Sequence, residues 1–165
     1  MTMPGAGAVM GAIETRLQDG FAAKVSALNT EYADSITLTA PETSSYHRML
    51  DPADRDAMLA LSTPAVILRP EVEEPVGGRA LGGEYAIRTP IEVSIVTGYD
   101  TSERQGEALL RYQRALKELL LHQNSATGDS AYDFEASGFA RTWTTDNGVL
   151  RDVAIVVSTV VFETP

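Results

Sequence analysis

Apolar residues recur every three or four positions along 8–29, a spacing that places them on one face of an α-helix. The stripe comprises Met10, Ile13, Leu17, Phe21, Val25 and Leu28. Gly11 and Gly20 lie within this stretch, and a glycine inside a helix costs about 1 kcal/mol relative to alanine. We therefore predict a first helix over 8–29 that depends on packing against the rest of the protein.

The strongest helical pattern covers residues 102–122, directly after Asp100 and Thr101, either of which can cap the helix. Its apolar stripe comprises Ala108, Leu109, Tyr112, Ala115, Leu116, Leu119 and Leu120. Its opposite side carries Arg104, Glu107, Arg111, Arg114 and Glu118. Glu107 and Arg111 have the spacing and order that favour an ion pair. The pattern predicts a helix that packs on a core through one side and exposes its charges on the other.

Strict alternation of apolar and polar residues predicts half-buried strands, and the clearest case is EYAIRTPIEVSIVTGYD at 84–100. One face carries Tyr85, Ile87, Thr89, Ile91, Val93 and Ile95, and the other carries Ala86, Arg88, Pro90, Glu92 and Ser94. Pro90 lacks the N–H that a strand ladder uses, which favours an edge position or a bulge. Shorter strands are predicted over 34–41 and 64–72.

The end of the chain predicts a β-hairpin. The sequence DNG at 146–148 is the strongest short hairpin signal, and FEASGFARTWTT and LRDVAIVVSTVVFE flank it. Residues 153–157 are apolar on both faces, which is typical of a central strand that is covered on both sides. The remaining stretches predict a polar loop over 42–50, a short helix over 52–61 and a loop over 122–133.

These elements follow the order α, β, short α, β, β, α, β, β. We predict an α+β fold, with a mostly antiparallel sheet of four to five strands and two long helices packed on one face. The 165 residues contain no internal repeat or boundary, so a single domain over 1–165 is expected. Two segments should differ from this body. One is a flexible N-terminus over about 1–7, and the other is EEPVGGRALGG at about 73–83, a flexible loop or an extended arm.

The chain is acidic, with 13 basic against 23 acidic residues and a net charge of −10. Such a surface repels nucleic acid, and the sequence has no basic patch that would read DNA. The absence of cysteine excludes disulfides, thiolate catalysis and Cys-type zinc sites. The longest strongly apolar run, VAIVVSTVVF at 153–162, is half the length of a membrane helix, so no membrane association is expected.

Candidate catalytic and metal-ligating residues are sparse. His47 and His122 are 75 residues apart, and no nucleophile and orienting group are arranged around either. Asp51, Asp54 and Asp56 lack the glycine and distal glutamate of a calcium loop, and GGRALGG lacks the Lys-Ser/Thr of a phosphate loop. We expect no catalytic, cofactor-binding or metal-binding residue, and therefore no enzyme. A small enzyme or ligand-binding α+β domain, with its site between helices and sheet, is an alternative.

The order of these elements resembles the tail terminator (tail completion) proteins of tailed bacteriophages and related prophage particles. The resemblance covers about residues 8–163. It comprises the amphipathic first helix, the strand that enters the Pro/Gly-rich arm, the strand RTPIEVSIVTGYD, the helix TSERQGEALLRYQRALKELL and the closing hairpin. Residues 42–63 are longer and more irregular than this family's pattern. The resemblance implies an α+β fold with a curved sheet and helices on one side.

For function, the resemblance implies a structural virion protein that caps the head-proximal end of the tail tube, stops tube polymerisation and joins the head connector. Such a protein acts as a ring, typically of six copies. Its partners would be itself, the tail tube protein and a head–neck connector or stopper protein, and DNA would pass through the lumen without specific binding. It would be made in the host bacterial cytoplasm and reside in the virion tail. Another phage neck or baseplate assembly protein is an alternative.

No motif transfers functional residues from this family, so the candidates for a subunit interface come from the residues themselves. A ring needs two different complementary patches per subunit, and an arm that adds to the edge of a neighbour's sheet would supply one. The candidates are Gly77, Gly78, Arg79, Leu81 and Gly82 in the arm, together with the outward-facing charges Arg88 and Glu92. A solvated sheet face is the other interpretation of these two charges.

Overall fold

Two long helices and a mixed β-sheet form the described part of the protein, as the predicted α+β class requires. The computed structural model describes residues 6–48, 62–72, 74–76, 85–98, 102–121, 135–145 and 148–163. The helices are α1 (Ala6–Tyr32) and α2 (Ser102–Leu121). The strands are β1 (Tyr46–Arg48), β2 (Ala65–Pro70), β3 (Glu74–Val76), β4 (Tyr85–Gly98), β5 (Glu135–Thr145) and β6 (Gly148–Glu163).

The described residues form a six-stranded sheet in the order β1-β2-β4-β6-β5, and β3 pairs with β4 on the same side as β2. All pairs are antiparallel except β1–β2, which is parallel. The prediction of four to five strands is wrong, because β1 and β3 have three residues each and are too short for alternation to reveal them. The predicted hairpin is present as β5–β6, and β6 is an interior strand, as its apolar faces indicated.

Residues 34–41 do not form the predicted strand. Their backbone hydrogen bonds go to side chains. The Asn29 amide bonds the N and O of Leu38 at 2.8 and 2.9 Å, and the Tyr112 hydroxyl bonds the N and O of Thr39 at 3.1 and 2.7 Å. The alternation in this segment therefore reflects one side packed on the helices, with side chains in place of a neighbouring strand.

Other predicted bounds also change. The polar loop predicted over 42–50 contains a short 3-10 turn and strand β1. The predicted flexible N-terminus over 1–7 overlaps the start of α1 by two residues, and residues 1–5 lie outside the described part. The helix predicted over 52–61 and the loop predicted over 122–133 also lie outside it.

The core lies between the two helices and one face of the sheet, which is the packing predicted for the helices. The sheet contributes Val66, Leu68, Ile91, Val93, Ile95 and Ile155 to this core. Leu68 is opposite Val93, and Val93 is opposite Ile155, so these residues share a face. All six residues of the predicted α1 stripe are at most 4% exposed. Burial of one such side chain contributes about 1.5–3 kcal/mol, so the stripe outweighs the cost of the two helical glycines.

Pro90 lies inside an interior strand, at a change of register. Pro70 of β2 is opposite Ile91, whereas Glu74 of β3 is opposite Arg88, so four steps along β2 and β3 match three along β4. This one-residue irregularity is a β-bulge. The Pro90 carbonyl accepts a hydrogen bond at 3.0 Å from the first residue after β2. Because the N and O of an antiparallel strand residue point to the same side, the missing N–H of Pro90 faces the bulge. Of the two predicted positions, the bulge is correct.

Candidate functional site

The sheet face turned away from the helices is also buried, which a half-buried strand would not require. In β2 and β4 it carries Ala65, Ile67, Arg69, Glu92, Ser94 and Val96. Five of these six residues are at most 5% exposed, and the side chain of Arg69 is 26% exposed. None of them belongs to the core cluster under the helices. The sheet therefore has two buried faces in this region.

A buried ion pair crosses this second face. Arg69 Nη1 donates to Glu92 Oε1 at 3.3 Å, and Ser94 Oγ donates to the same oxygen at 3.1 Å. Arg69 and Glu92 are directly opposite in the β2–β4 register, so strand pairing brings the charges together. Among the described residues, Arg69 Nε has no hydrogen-bond partner, although it is buried.

The side chain of Glu92 is 7% exposed, so its interpretation as part of a solvated face is wrong. Its part in a subunit contact remains a prediction. The backbone of Arg88 lies four residues earlier in β4, opposite Glu74 of β3 and Val160 of β6. The ionic partner of Glu92 within the chain is Arg69, which strand pairing places opposite it. The pattern of the sequence did not reveal this pair.

The arm candidates lie at a connection between two paired strands. Gly77, Gly78, Arg79, Leu81 and Gly82 are outside the described residues, as is the side chain of Arg88. Val76 is opposite Ala86, so residues 77–84 join two neighbouring antiparallel strands. The first part of the predicted arm over 73–83 includes strand β3, which belongs to the protein's own sheet.

The connection leaves the sheet at the end formed by β3 and the first residues of β4. We call this end the β3–β4 ribbon; it comprises residues 74–76, 85–88 and 160–163. Among the residues of β4 whose side chains are described, Ile91, Val93 and Ile95 belong to the core under the helices.

The helix layer holds a second polar cluster, centred on Arg111. This residue was predicted on the solvent side of α2, but its side chain is only 7% exposed. Its guanidinium binds both carboxylate oxygens of Asp34, donates to the Ile36 carbonyl at 3.1 Å and lies 4.0 Å from the centre of the Tyr32 ring. The predicted pair with Glu107 is present at 3.6 Å. The hydrogen bond from Arg111 lowers the pKa of the Asp34 carboxyl to about 2.

Further ion pairs connect the two helices. Across the helices, Arg114 binds the Glu31 carboxylate at 2.8 and 3.0 Å, and Lys24 binds Glu118 at 2.7 Å. Within α2, Arg114 also binds Glu118 at 2.7 Å. A hydrogen bond from Lys24 and, to a smaller extent, one from Arg114 lower the pKa of Glu118. These side chains are 30% or more exposed, so each pair contributes little to stability. Together they orient α1 on α2.

Neither polar cluster has the composition of a metal centre. Within the described ranges, no group of three or more His, Cys, Asp or Glu side chains could hold a metal ion. No helix in this part of the chain is long and apolar enough to cross a membrane. His47 lies in β1 opposite Ile67, and His122 is outside the described residues.

Comparison with known proteins gives a likeness of fold. No protein-family model matches the chain. No curated protein sequence matches it either. Among solved structures, a chain of the virion of a native gene transfer agent (GTA) particle superposes with a TM-score of 0.51 and 11% sequence identity. The superposition covers 98% of this chain and 100% of that chain, so the two share a fold over nearly their whole length.

Proposed function

We propose that this protein is a structural component of a phage-like particle. The observation that carries the proposal is the fold shared with a chain of the GTA virion. The likeness covers nearly all of both chains and is therefore not limited to a small common motif. The proposed role is structural and requires no catalysis, metal or cofactor.

Within this class we propose the role of tail terminator. The protein would form a ring, of six copies, at the head-proximal end of the tail tube, stop tube polymerisation and join the head connector or stopper protein. Its resemblance in element order to tail terminators supports this role. The net charge of −10 also suits a ring lumen through which DNA passes without binding.

The proposed ring interface joins two different surfaces of neighbouring copies. One is the glycine-rich connection 77–84, with its candidates Gly77, Gly78, Arg79, Leu81 and Gly82, and the adjoining Arg88 of the β3–β4 ribbon. This connection joins β3 to β4 at one end of the sheet. A head-to-tail contact of this kind closes into a ring when a whole number of copies completes one full turn.

Light scattering on the purified protein tests the ring. A ring of six copies has a mass near six times 17.7 kDa. Deletion of 77–82 should abolish the ring and leave a folded monomer with an unchanged far-UV circular dichroism spectrum. The matched control replaces 77–82 with glycine and serine, which keeps the chain length but removes Arg79 and Leu81. A deletion variant that still assembles would contradict a role for this segment.

Electron microscopy of tail tubes separates this role from that of another neck or baseplate protein. A tail terminator added during polymerisation binds one end of each tube and shortens the tubes as its concentration rises. A protein that leaves tube length unchanged, or that binds only isolated head connectors, belongs to another part of the particle.

A further inference from the structure

We propose that the outer edge of β5 binds residues 77–84 of a second copy of this chain, which add a strand to the sheet. The proposal rests on the ring of the proposed function and identifies the second of its two surfaces. It starts from a difference between the edges of the sheet. Two of them are short or blocked, and the third is long and, among the described strands, paired on one side only.

The edges at β1 and β3 are poor places for another strand to pair. Each of these strands has three residues, and β3 contains Pro75. Glu74 and Val76 have the hydrogen-bonding register toward β4, so Pro75 presents its missing N–H to the outside. Short edge strands and outward prolines are devices that prevent strands from adding to a sheet.

β5 has neither device. It has 11 residues, no proline and only two charged residues, Glu135 and Arg141. Among the described residues, β6 is the only strand that pairs with β5. A long edge without blocking residues is a template for pairing with another chain.

The register identifies the backbone groups that face outward from β5. Thr145 is opposite Gly148 across a two-residue turn, so this pair exchanges hydrogen bonds and every second residue of β5 does the same with β6. The residues between them direct N–H and C=O away from β6; they are Ala136, Gly138, Ala140, Thr142 and Thr144. The same alternation can be followed from β5 across β6 to β4. It directs the carbonyl of Pro90 toward β2, and this carbonyl does accept a hydrogen bond from Glu71 N there, at 3.0 Å.

The connection 77–84 cannot cover the β5 edge of its own chain. Ala140 is opposite Val153, which is opposite Ile95, nine residues along β4 from Ala86. Ala140 therefore lies about 30 Å from Ala86 along the strands and about 10 Å from it across them. A segment of this length with both ends held beside β4 reaches at most about 15 Å. The same segment of a second copy has no such restriction.

Charge also favours this pair of surfaces. Two copies that each carry −10 repel one another, so contact is least costly where the local charge is zero. β5 contains one acidic and one basic residue, and residues 77–84 likewise contain only Arg79 and Glu84 as charges. The segment has four glycines and no proline, so each of its residues carries the backbone N–H that strand pairing uses.

Substitutions at Thr142 test the proposal. Thr142→Pro removes one outward N–H and no hydrogen bond to β6, so the monomer should fold with its spectrum and melting temperature nearly unchanged. Thr142→Val keeps the N–H and the shape of the side chain and serves as the matched control. Light scattering should show that Thr142→Pro is monomeric at concentrations where the wild type and Thr142→Val form rings. Ala140→Pro, at a second outward position, should behave like Thr142→Pro.

The outcomes separate this inference from the ring itself. If the wild type and both proline variants form rings, the β5 edge is not the interface, and the ring stands. If the wild type does not assemble either alone or on tail tubes, the proposed function fails together with this inference. Hydrogen exchange gives an independent check. The amides of 136, 138, 140, 142 and 144 should exchange rapidly in the monomer and slowly in the ring, and protection already present in the monomer overturns the proposal.

Discussion

The buried pair of Arg69 and Glu92 permits a quantitative prediction. Its two side chains are 26% and 7% exposed, and strand register holds them opposite each other. Arg69→Met keeps much of the side-chain volume but leaves the Glu92 carboxylate buried without this cation. Glu92→Gln keeps an acceptor for Ser94 but removes the charge. The double variant Arg69→Met/Glu92→Leu replaces both charges with apolar groups.

The expected costs differ because a single buried charge is more expensive than a buried pair. Loss of one partner of a buried pair costs about 3–5 kcal/mol, and the partial exposure of Arg69 places Arg69→Met near the low end, at about 3 kcal/mol. Glu92→Gln exchanges charged hydrogen bonds for neutral ones and should cost about 1–2 kcal/mol. The apolar double variant should lie within about 1 kcal/mol of the wild type, because neither charge remains.

Urea denaturation of the monomer, below the concentration at which rings form, measures these free energies of unfolding. The m-value should stay constant, so that changes in the midpoint report stability alone. In the double-mutant cycle closed by the single variant Glu92→Leu, the coupling between the two positions should exceed about 2 kcal/mol. Additive effects, or a cost below about 0.5 kcal/mol for Arg69→Met, would contradict a buried and coupled pair.

Other substitutions test the packing of the helix layer. Gly11→Ala should stabilise the protein by about 0.5–1 kcal/mol, because the added Cβ would lie 3.4 Å from its nearest neighbour, Arg48 Nη2. Gly20→Ala should give no gain, because the added Cβ would lie only 2.7 Å from Leu119 Cδ2. Equal gains in urea melts would refute this contrast. Tyr112→Phe should cost about 1–2 kcal/mol through two lost hydrogen bonds, and an unchanged melting curve would argue against them. Because the pKa of Asp34 is lowered in the folded protein, its carboxylate contributes stability above pH 3.8, and this stability is lost as the pH falls toward 2. Asp34→Asn should therefore flatten the acid-unfolding curve between these pH values. An unchanged slope would refute the linkage.

Periodicity predicted the parts of the fold in which one surface is apolar over several turns or strand residues. The α1 stripe from Met10 to Leu28 is buried as expected, and the DNG sequence stands at the turn of the β5–β6 hairpin. These patterns persist because a helix or strand that packs on one side repeats its apolar positions with a fixed period. The α+β class followed from them.

Other features depend on contacts between segments that are distant in sequence. Helical periodicity placed Arg111 on the solvent side, but Tyr32, the last residue of α1, and Asp34, two residues after it, enclose it. Alternation made Glu92 look exposed, although Arg69 on the neighbouring strand pairs with it. The three-residue strands β1 and β3 form only because a neighbouring strand offers hydrogen bonds, so no local pattern reveals them.

The β3–β4 ribbon illustrates both cases. The sequence showed that 73–83 is rich in proline and glycine and precedes a long strand. It did not show that Glu74–Val76 pairs with that strand. The place of this connection in the sheet became recognisable only from the strand register, as did the β5 edge, which pairs with β6 alone among the described strands.

The most direct test of the account is the mass of the wild-type protein, measured by light scattering over a range of concentrations and again on tail tubes by electron microscopy. The account predicts a closed ring with a mass near six times 17.7 kDa, seated on one end of each tube. A protein that stays monomeric at every concentration and leaves the tube ends bare would contradict it.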